Sequence, residues 1–444
     1  MTGGALDEAA RNTTGGSERP AKYDILILDG AHKHSLTAAR SLARSGLRVA
    51  IGESPTQFLQ NQKPASFYSR YCAHALVLPN YVTEQDEYVE AIFAFVRDNG
   101  IRVVLPVGDA NITLLAPHRE RFKEFGCMLA IASDAALEIA NDKVRTLEVA
   151  TKLDIPYPKS IPVTGVEDLR AAEAEFGYPF VLKPTVSWTG AVALRAVPCE
   201  VMNEAEGMEA TTRFLATGCE VLAQQLATGS REGVSLFIVN GELLAYCGCL
   251  ALRTTPPLGG VSAMRESIPV PADLLEAAVN LATTIGVEGP SEVEFRRDAN
   301  GRPLLMEINA RLAGTLENAV NSGVNFPLMI WQWGTGQPIE PVKSYRTGVR
   351  TRWLAGDARW LWDGAMRPGR PDSVTPARGL WTFTSEFFRT RHYDFVDRYD
   401  MRPAVAEIRD TAAIIREQWD NRKQWREDRE RYPEPGSIRT PKAK

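Results

Sequence analysis

The stretch VEFRRDANGRPLLMEINAR, residues 293–311, decides how the rest of the chain is read. Two runs of strand character flank Asp298-Ala299-Asn300-Gly301, residue types that favour a tight turn. The segment therefore predicts a β-hairpin, with Glu294 on the outgoing strand and Glu307 and Asn309 on the returning one. Residues two apart on a strand share a face, so Glu307, Asn309 and Arg311 project together and the hairpin brings Glu294 opposite them. Glu292 shares the face of Glu294 and extends the acidic cluster. Two carboxylates and an amide oxygen are hard donors, suited to Mg²⁺ held jointly with a polyphosphate. Arg311 adds a permanent cation whose fork matches phosphoryl or carboxylate oxygens. The plainer reading is charge alternation on a solvent-facing hairpin. Against it stand the apolar Leu304-Leu305-Met306 before Glu307 and the repulsion that facing carboxylates suffer without a cation.

Working outward, the chain has 444 residues, 44 % hydrophobic and 24 % charged, with a formal net charge of −4. That is the length of roughly three domains. The balance argues against a general nucleic-acid binder, which needs a basic stripe. The six cysteines (Cys72, Cys127, Cys199, Cys219, Cys247 and Cys249) form no C-x-x-C pair. They read as reduced thiols rather than zinc ligands. The first twenty-odd residues are small and polar, with no apolar core of a signal peptide. No apolar run approaches the roughly 18 residues of a membrane span. The expectation is a soluble cytoplasmic protein without membrane or nucleic-acid partners.

Upstream of the hairpin, YDILILDG (23–30), LRVAIGE (47–53), IRVVLPVGD (101–109) and CMLAIAS (127–133) read as buried parallel strands. Amphipathic helices over 35–45 and 84–98 separate the first three, giving a Rossmann-like parallel sheet. The turn after the first strand, DGAHKHS, lacks the G-x-G-x-x-G fingerprint, which argues against an NAD site. It places His32 and His34 at the carboxyl edge of that sheet, where ligands usually sit. A helix is expected over 134–153. Then PFVLKP (179–184), ALRAV (193–197), EVLAQQL (220–226), GVSLFIV (233–239) and ELLAYCGCL (242–250) read as strands of an α+β region, with Asn240-Gly241 marking a hairpin. The last hundred residues hold six of nine tryptophans. There Val405, Ile408, Ala412, Ile415 and Trp419 recur at helical spacing.

The pattern E-F-x(11)-E-I-N-x-R, from Glu294 to Arg311, resembles the magnesium motif of the ATP-grasp ligases, over roughly residues 22–345. The resemblance implies an α/β and α+β architecture: a disordered tail (1–21), a Rossmann-like domain (22–120), an ATP-grasp fold of two α+β subdomains (121–345) and a C-terminal, tryptophan-rich appendage (346–444). It implies ATP and Mg²⁺ as cofactors, two ions with Mn²⁺ as a substitute, and Glu294, Glu307 and Asn309 as metal ligands. Lys143, in Asn141-Asp142-Lys143, and Lys183, ending YPFVLKP, resemble the two phosphate-side lysines. Arg311 and Lys183 are the expected catalytic cations. EVLAQQLATG resembles the hinge that holds adenine, through Gln224 or Gln225 and the backbone of Leu226 and Ala227. Glu232 resembles the carboxylate that accepts from ribose hydroxyls. The lid SWTGA (187–191) departs from the family pattern in carrying Trp188. The segment 251–267 is expected to join the strands to the next helix near the substrate, with Arg253 and Arg265 as candidate carboxylate binders. The implied activity is ATP-dependent ligation of a small-molecule carboxylate to an amine, such as amino acids, through an acyl phosphate. The alternative is a bicarbonate-activating carboxylase. The composition is compatible with a homodimer.

Overall fold

The computed structural model describes residues 21–55, 63–186, 198–216, 218, 220–257, 259–366 and 374–412. Residues 1–20 of the expected tail, the lid 187–191 with Trp188, the strand read over 193–197, Cys219, and Ile415 and Trp419 lie outside the described residues.

Three sheets organise the chain. The first is parallel, from β1 (Ile25–Ile27), β2 (Val49–Glu53), β3 (His74–Val77), β4 (Val103–Leu105) and β5 (Met128–Leu129), ordered β3-β2-β1-β4-β5. Its central strands are buried on both faces, which explains their continuous apolar runs. Strand β3 escapes the sequence reading because its half-exposed alternation leaves no such run.

The second sheet is antiparallel: β6 (Ser160–Val163), β7 (Phe180–Pro184), β8 (Cys199–Val201) and β9 (Val221–Gln225), ordered β6-β9-β7-β8. The third has seven strands: β10 (Arg231–Val239), β11 (Glu242–Thr255), β12 (Val261–Ile268), β13 (Gly289–Arg297), β14 (Pro303–Asn309), β15 (Arg350–Arg352) and β16 (His392–Tyr393). Their order is β14-β13-β10-β11-β12-β15-β16. The β10–β11 turn is made by Asn240 and Gly241, both with positive φ (52° and 75°), the conformation that a two-residue hairpin demands. Residues 251–267 are not a connection to the next helix, as the sequence suggested. They complete β11 and form β12, paired from Gly248↔Ile268 to Thr255↔Val261.

The helix expected over 134–153 is two helices, Asp134–Ala140 and Lys143–Lys152. The Asp142 side chain accepts from the Val144 and Arg145 amides and so caps the second helix. Lys143 thereby opens a helix instead of lying within one.

The C-terminal region is knitted into the third sheet through β15 and β16. It also grips the first domain. The Arg40 guanidinium, on the helix Lys33–Arg44, donates to Asp400 Oδ2 (2.9 Å) and to the Asp394 and Phe395 carbonyls. The helix over 402–412 inverts the expected packing. Ala404 and Ala406 are buried, while Val405 and Ile408 are 57 % and 70 % exposed.

Arg265 is fully buried and pairs through both terminal nitrogens with Asp394, which also lies 3.7 Å from Lys33 Nζ. Removing one member of such a cluster strands a buried charge. Asp394→Asn is expected to lower stability by about 3–5 kcal/mol, read as the shift of the denaturant midpoint. A loss under about 1 kcal/mol would show that the cluster is not holding the fold.

Candidate functional site

The hairpin forms as read. Glu294 on β13 stands opposite Glu307 on β14, and Glu292 opposite Asn309. Asp298 Oδ1 accepts from the Asn300 and Arg302 amides and closes the turn. On the returning strand the Asn309 amide nitrogen lies 3.4 Å from Glu307 Oε1, and Asn309 Oδ1 accepts from Arg311 Nη2 at 2.9 Å. Glu307, Asn309 and Arg311 thus form one row, as side-chain parity requires.

Lys183 approaches this row from the second sheet, and Lys143 from the helix Lys143–Lys152, which packs against β14. Both are buried, at 8 % and 6 % exposure. The Lys143 amide donates to the Thr185 carbonyl (3.0 Å), which pins the helix start beside the end of β7. The Lys183 ammonium donates to Gln224 Oε1 at 2.8 Å. In the β7–β9 pairing Lys183 faces Leu222, so Gln224, two residues on, shares its face. Gln224 is therefore the inward glutamine, held also by Ser160 Oγ (3.0 Å), and Gln225 is exposed. Leu226 and Ala227 follow β9 as half-buried chain. A cavity between strand β14 and the helices Asp134–Ala140 and Lys143–Lys152 is lined by Asp109, Asn141, Lys143, Thr146, Glu307 and Asn309.

Burial raises the affinity of Glu307 for a proton, but Lys143, Lys183, Arg231 and Arg311 together outweigh it and hold the carboxyl below its ordinary range. Burial pushes Glu294 up to about 7 against the pull of Arg231. Burial, reinforced by Lys143, pushes Lys183 down to about 8.

Two partners in the site carry no motif. Arg231 on β10 donates from Nε (2.9 Å) and Nη2 (2.5 Å) to Glu294 Oε2. Its place one strand from Glu294 follows from register, with Gly233 opposite Glu294. Asp109, the first residue of the helix Asp109–Leu115 that follows β4, accepts from Arg311 Nε at 2.6 Å. A sequence separation of 202 residues hides that pair from any local pattern.

The remaining candidates lie apart from this cluster. Glu232 does not join the cluster. It lies on the opposite face of β10 from Arg231 and accepts from Ser230 Oγ (2.8 Å) and the Arg297 guanidinium (2.8 and 3.1 Å). Arg253 and Arg265 are not poised for a substrate carboxylate, because their side chains are buried, 8 % and 0 % exposed, against Asp357 and Asp394. His34 is buried, with Nε2 3.4 Å from the Val107 carbonyl, and burial, His32 and Arg311 hold its proton affinity well down. The five described cysteines are free thiols.

The donor set suits a divalent ion. Among the described residues no three His, Cys, Asp or Glu side chains converge as a protein-only cage. Two facing carboxylates and an amide oxygen beside two lysines instead match Mg²⁺, which keeps open positions for phosphate and water. No helix among the described residues is long and apolar enough to cross a membrane.

Comparison with known proteins agrees with this geometry. Residues 259–356 match the family described as ATP-grasp in the biosynthetic pathway with Ter operon. Residues 58–130 match the PylC-like N-terminal domain. The chain is 27 % identical over 188 residues to the D-alanine–D-alanine ligase of Ectopseudomonas mendocina, covering 39 % of this chain and 56 % of that enzyme's length. Its fold is similar to biotin carboxylase from Campylobacter jejuni (TM-score 0.58, 16 % identity, 74 % of each chain). It is also similar to the L-amino acid ligase from Bacillus licheniformis (TM-score 0.53, 15 % identity, 72 % of this chain and 76 % of that one). In fold, in hairpin motif and over the matched residues, the chain is similar to the ATP-grasp ligases.

Proposed function

We propose that the chain is an ATP-dependent carboxylate–amine ligase acting on small molecules such as amino acids. A substrate carboxylate attacks the γ-phosphorus of ATP, giving an acyl phosphate and ADP. The amine then attacks the acyl carbon, phosphate leaves and an amide forms. One observation carries the reading: Glu294, Glu307 and Asn309 meet on adjoining strands beside Lys143, Lys183 and Arg311.

In this reading Glu294, Glu307 and Asn309 hold Mg²⁺, which when bound neutralises phosphate charge and leaves no need for a nucleophilic side chain. Lys143 and Lys183 are point charges for the phosphates. Arg311 neutralises charge that develops on the transferred group, a role that works because the donor is already in place. Gln224, which anchors Lys183, and the backbone of Leu226 and Ala227 form the adenine side. Glu232, oriented by Ser230 and Arg297, accepts from the ribose hydroxyls with its remaining lone pairs.

The test is ADP release by the purified chain against amino acids, singly and in pairs, with mass spectrometry of the products. A peptide or amide product with stoichiometric ADP is expected. ADP release stimulated by bicarbonate and by no amino acid would favour the carboxylase reading instead.

A further inference from the structure

The first domain reaches the candidate cavity through one of its lining side chains, Asp109, and that side chain is placed with care. Asp29, at the end of β1, takes a positive φ of 59°. Its carboxylate accepts from the Val107 amide (3.1 Å), the Gly108 amide (2.8 Å) and Asn111 Nδ2 (2.6 Å). A Cβ at residue 108 would stand 2.8 Å from Asp29 Oδ1, so the turn needs glycine there. Asp109 follows directly as the first residue of the helix Asp109–Leu115, with Gly108 before it and Asn111 after it both held by Asp29.

Its pairing with Arg311 is lopsided. Oδ1 meets Nε at 2.6 Å, while Oδ2 stands 3.4 Å from Nη2. The Nη1 edge of Arg311 is weakly engaged, 3.4 Å from the Leu312 carbonyl. A carboxylate oxygen and a guanidinium edge therefore lie side by side. For a plain carboxylate substrate this arrangement is poor, because a fixed anion beside Arg311 repels the group that Arg311 attracts. An α-amino acid carries its carboxylate and ammonium on one carbon, and the side-by-side pair complements both charges. Selectivity then comes from repulsion of the wrong ligand as well as attraction of the right one.

We infer that Asp109 is a specificity-determining residue, which reads the α-ammonium of an amino acid whose carboxylate lies against Arg311. The inference rests on the ligase reading and adds to it the residue that selects zwitterions.

The experiment traps the acyl phosphate with hydroxylamine and measures hydroxamate. Alanine, valine and phenylalanine are compared with their desamino forms, propionate, 3-methylbutanoate and 3-phenylpropanoate, and the other proteinogenic amino acids extend the panel. The wild-type chain is expected to prefer an amino acid over its desamino form by about 100-fold in kcat/KM, the value of one buried charge pair. Asp109→Asn is expected to shrink that preference about tenfold or more, chiefly through KM for the amino acid. Asp109→Glu, which keeps the charge, is expected to retain a preference. If Asp109 merely orients Arg311, Asp109→Asn lowers kcat for both substrate types alike and leaves their ratio unchanged, which overturns the inference. A wild-type preference for desamino acids overturns it as well. Hydroxamate from no carboxylate at all removes the ligase reading and the inference with it, whereas a normal wild-type signal with an unchanged ratio removes the inference alone.

Discussion

Replacing Glu307 by glutamine is expected to lower ADP formation by about a thousandfold or more while the chain remains folded. Glutamine keeps the volume and one acceptor oxygen but removes the charge. That charge is the one that Lys143, Lys183, Arg231 and Arg311 all converge on. Without it Glu294 would be the remaining carboxylate facing the ion, and Glu294 is already engaged by Arg231. Divalent affinity should fall with turnover, so raising MgCl₂ should restore little. The check is a magnesium titration of ADP release with circular dichroism as the folding control. Turnover within about tenfold of wild type across the titration would remove Glu307 from the proposed metal site.

Lys183→Met should weaken MgATP binding by about 10- to 100-fold, the span of one to two charge-assisted hydrogen bonds. The pH dependence gives a sharper signature. Burial, and next the neighbouring Lys143, lower the Lys183 ammonium to about 8. Below that pH the group is charged and attracts phosphate. Above it the empty site holds a neutral amine, and nucleotide binding must first recover a proton. Wild-type affinity should therefore be flat from pH 6.5 to about 8 and fall by up to about tenfold per pH unit above it. Lys183→Met should be weak and lack that fall. Titration calorimetry at pH 6.5 to 9.5 reads both. A wild-type affinity flat over that whole range, with Lys183→Met within about threefold of it, would mean that Lys183 does not meet the phosphates. The stability sign is opposite to that of a salt-bridged lysine. Because the folded group holds its proton less tightly than the unfolded one, its cost to folding is full below about 8 and is relieved as pH rises toward 10.5.

The parts of the site that were legible in the sequence are those coded by short separations. The turn at Asp298–Gly301 fixes the pairing as far as Phe295↔Leu305, and a bulge at Met306 then shifts the register by one residue and sets Glu294 against Glu307, which no local pattern announced; strand parity alone aligns Glu307, Asn309 and Arg311. Parity would also have separated Gln224 from Gln225 once β7 and β9 were paired. What stayed hidden has one physical cause. Arg231–Glu294, Arg311–Asp109 and Arg297–Glu232 are ion pairs made across strands or domains, and no local pattern says which charge will find which. Arg253 and Arg265 were misjudged for the same reason, since their counter-ions lie 104 and 129 residues downstream. The break at Asp142 was locally legible. An aspartate immediately before a run of helical periodicity is a capping signal, but the continuous periodicity on both sides masked it.

The grip of the C-terminal region on the first domain has a consequence for how the protein is made. Arg40 emerges early in synthesis and Arg265 about midway, yet their partners Asp400 and Asp394 lie 360 and 129 residues downstream of them. Until then two cations destined for the interior have no counter-ion, and the third sheet lacks its outer strands. The nascent chain must therefore wait in a partly open state, since contacts this distant in sequence form late. Stop codons placed before residue 394 should yield chains that are cleared or aggregate rather than a smaller working enzyme, even though every residue of the candidate cavity would already be present.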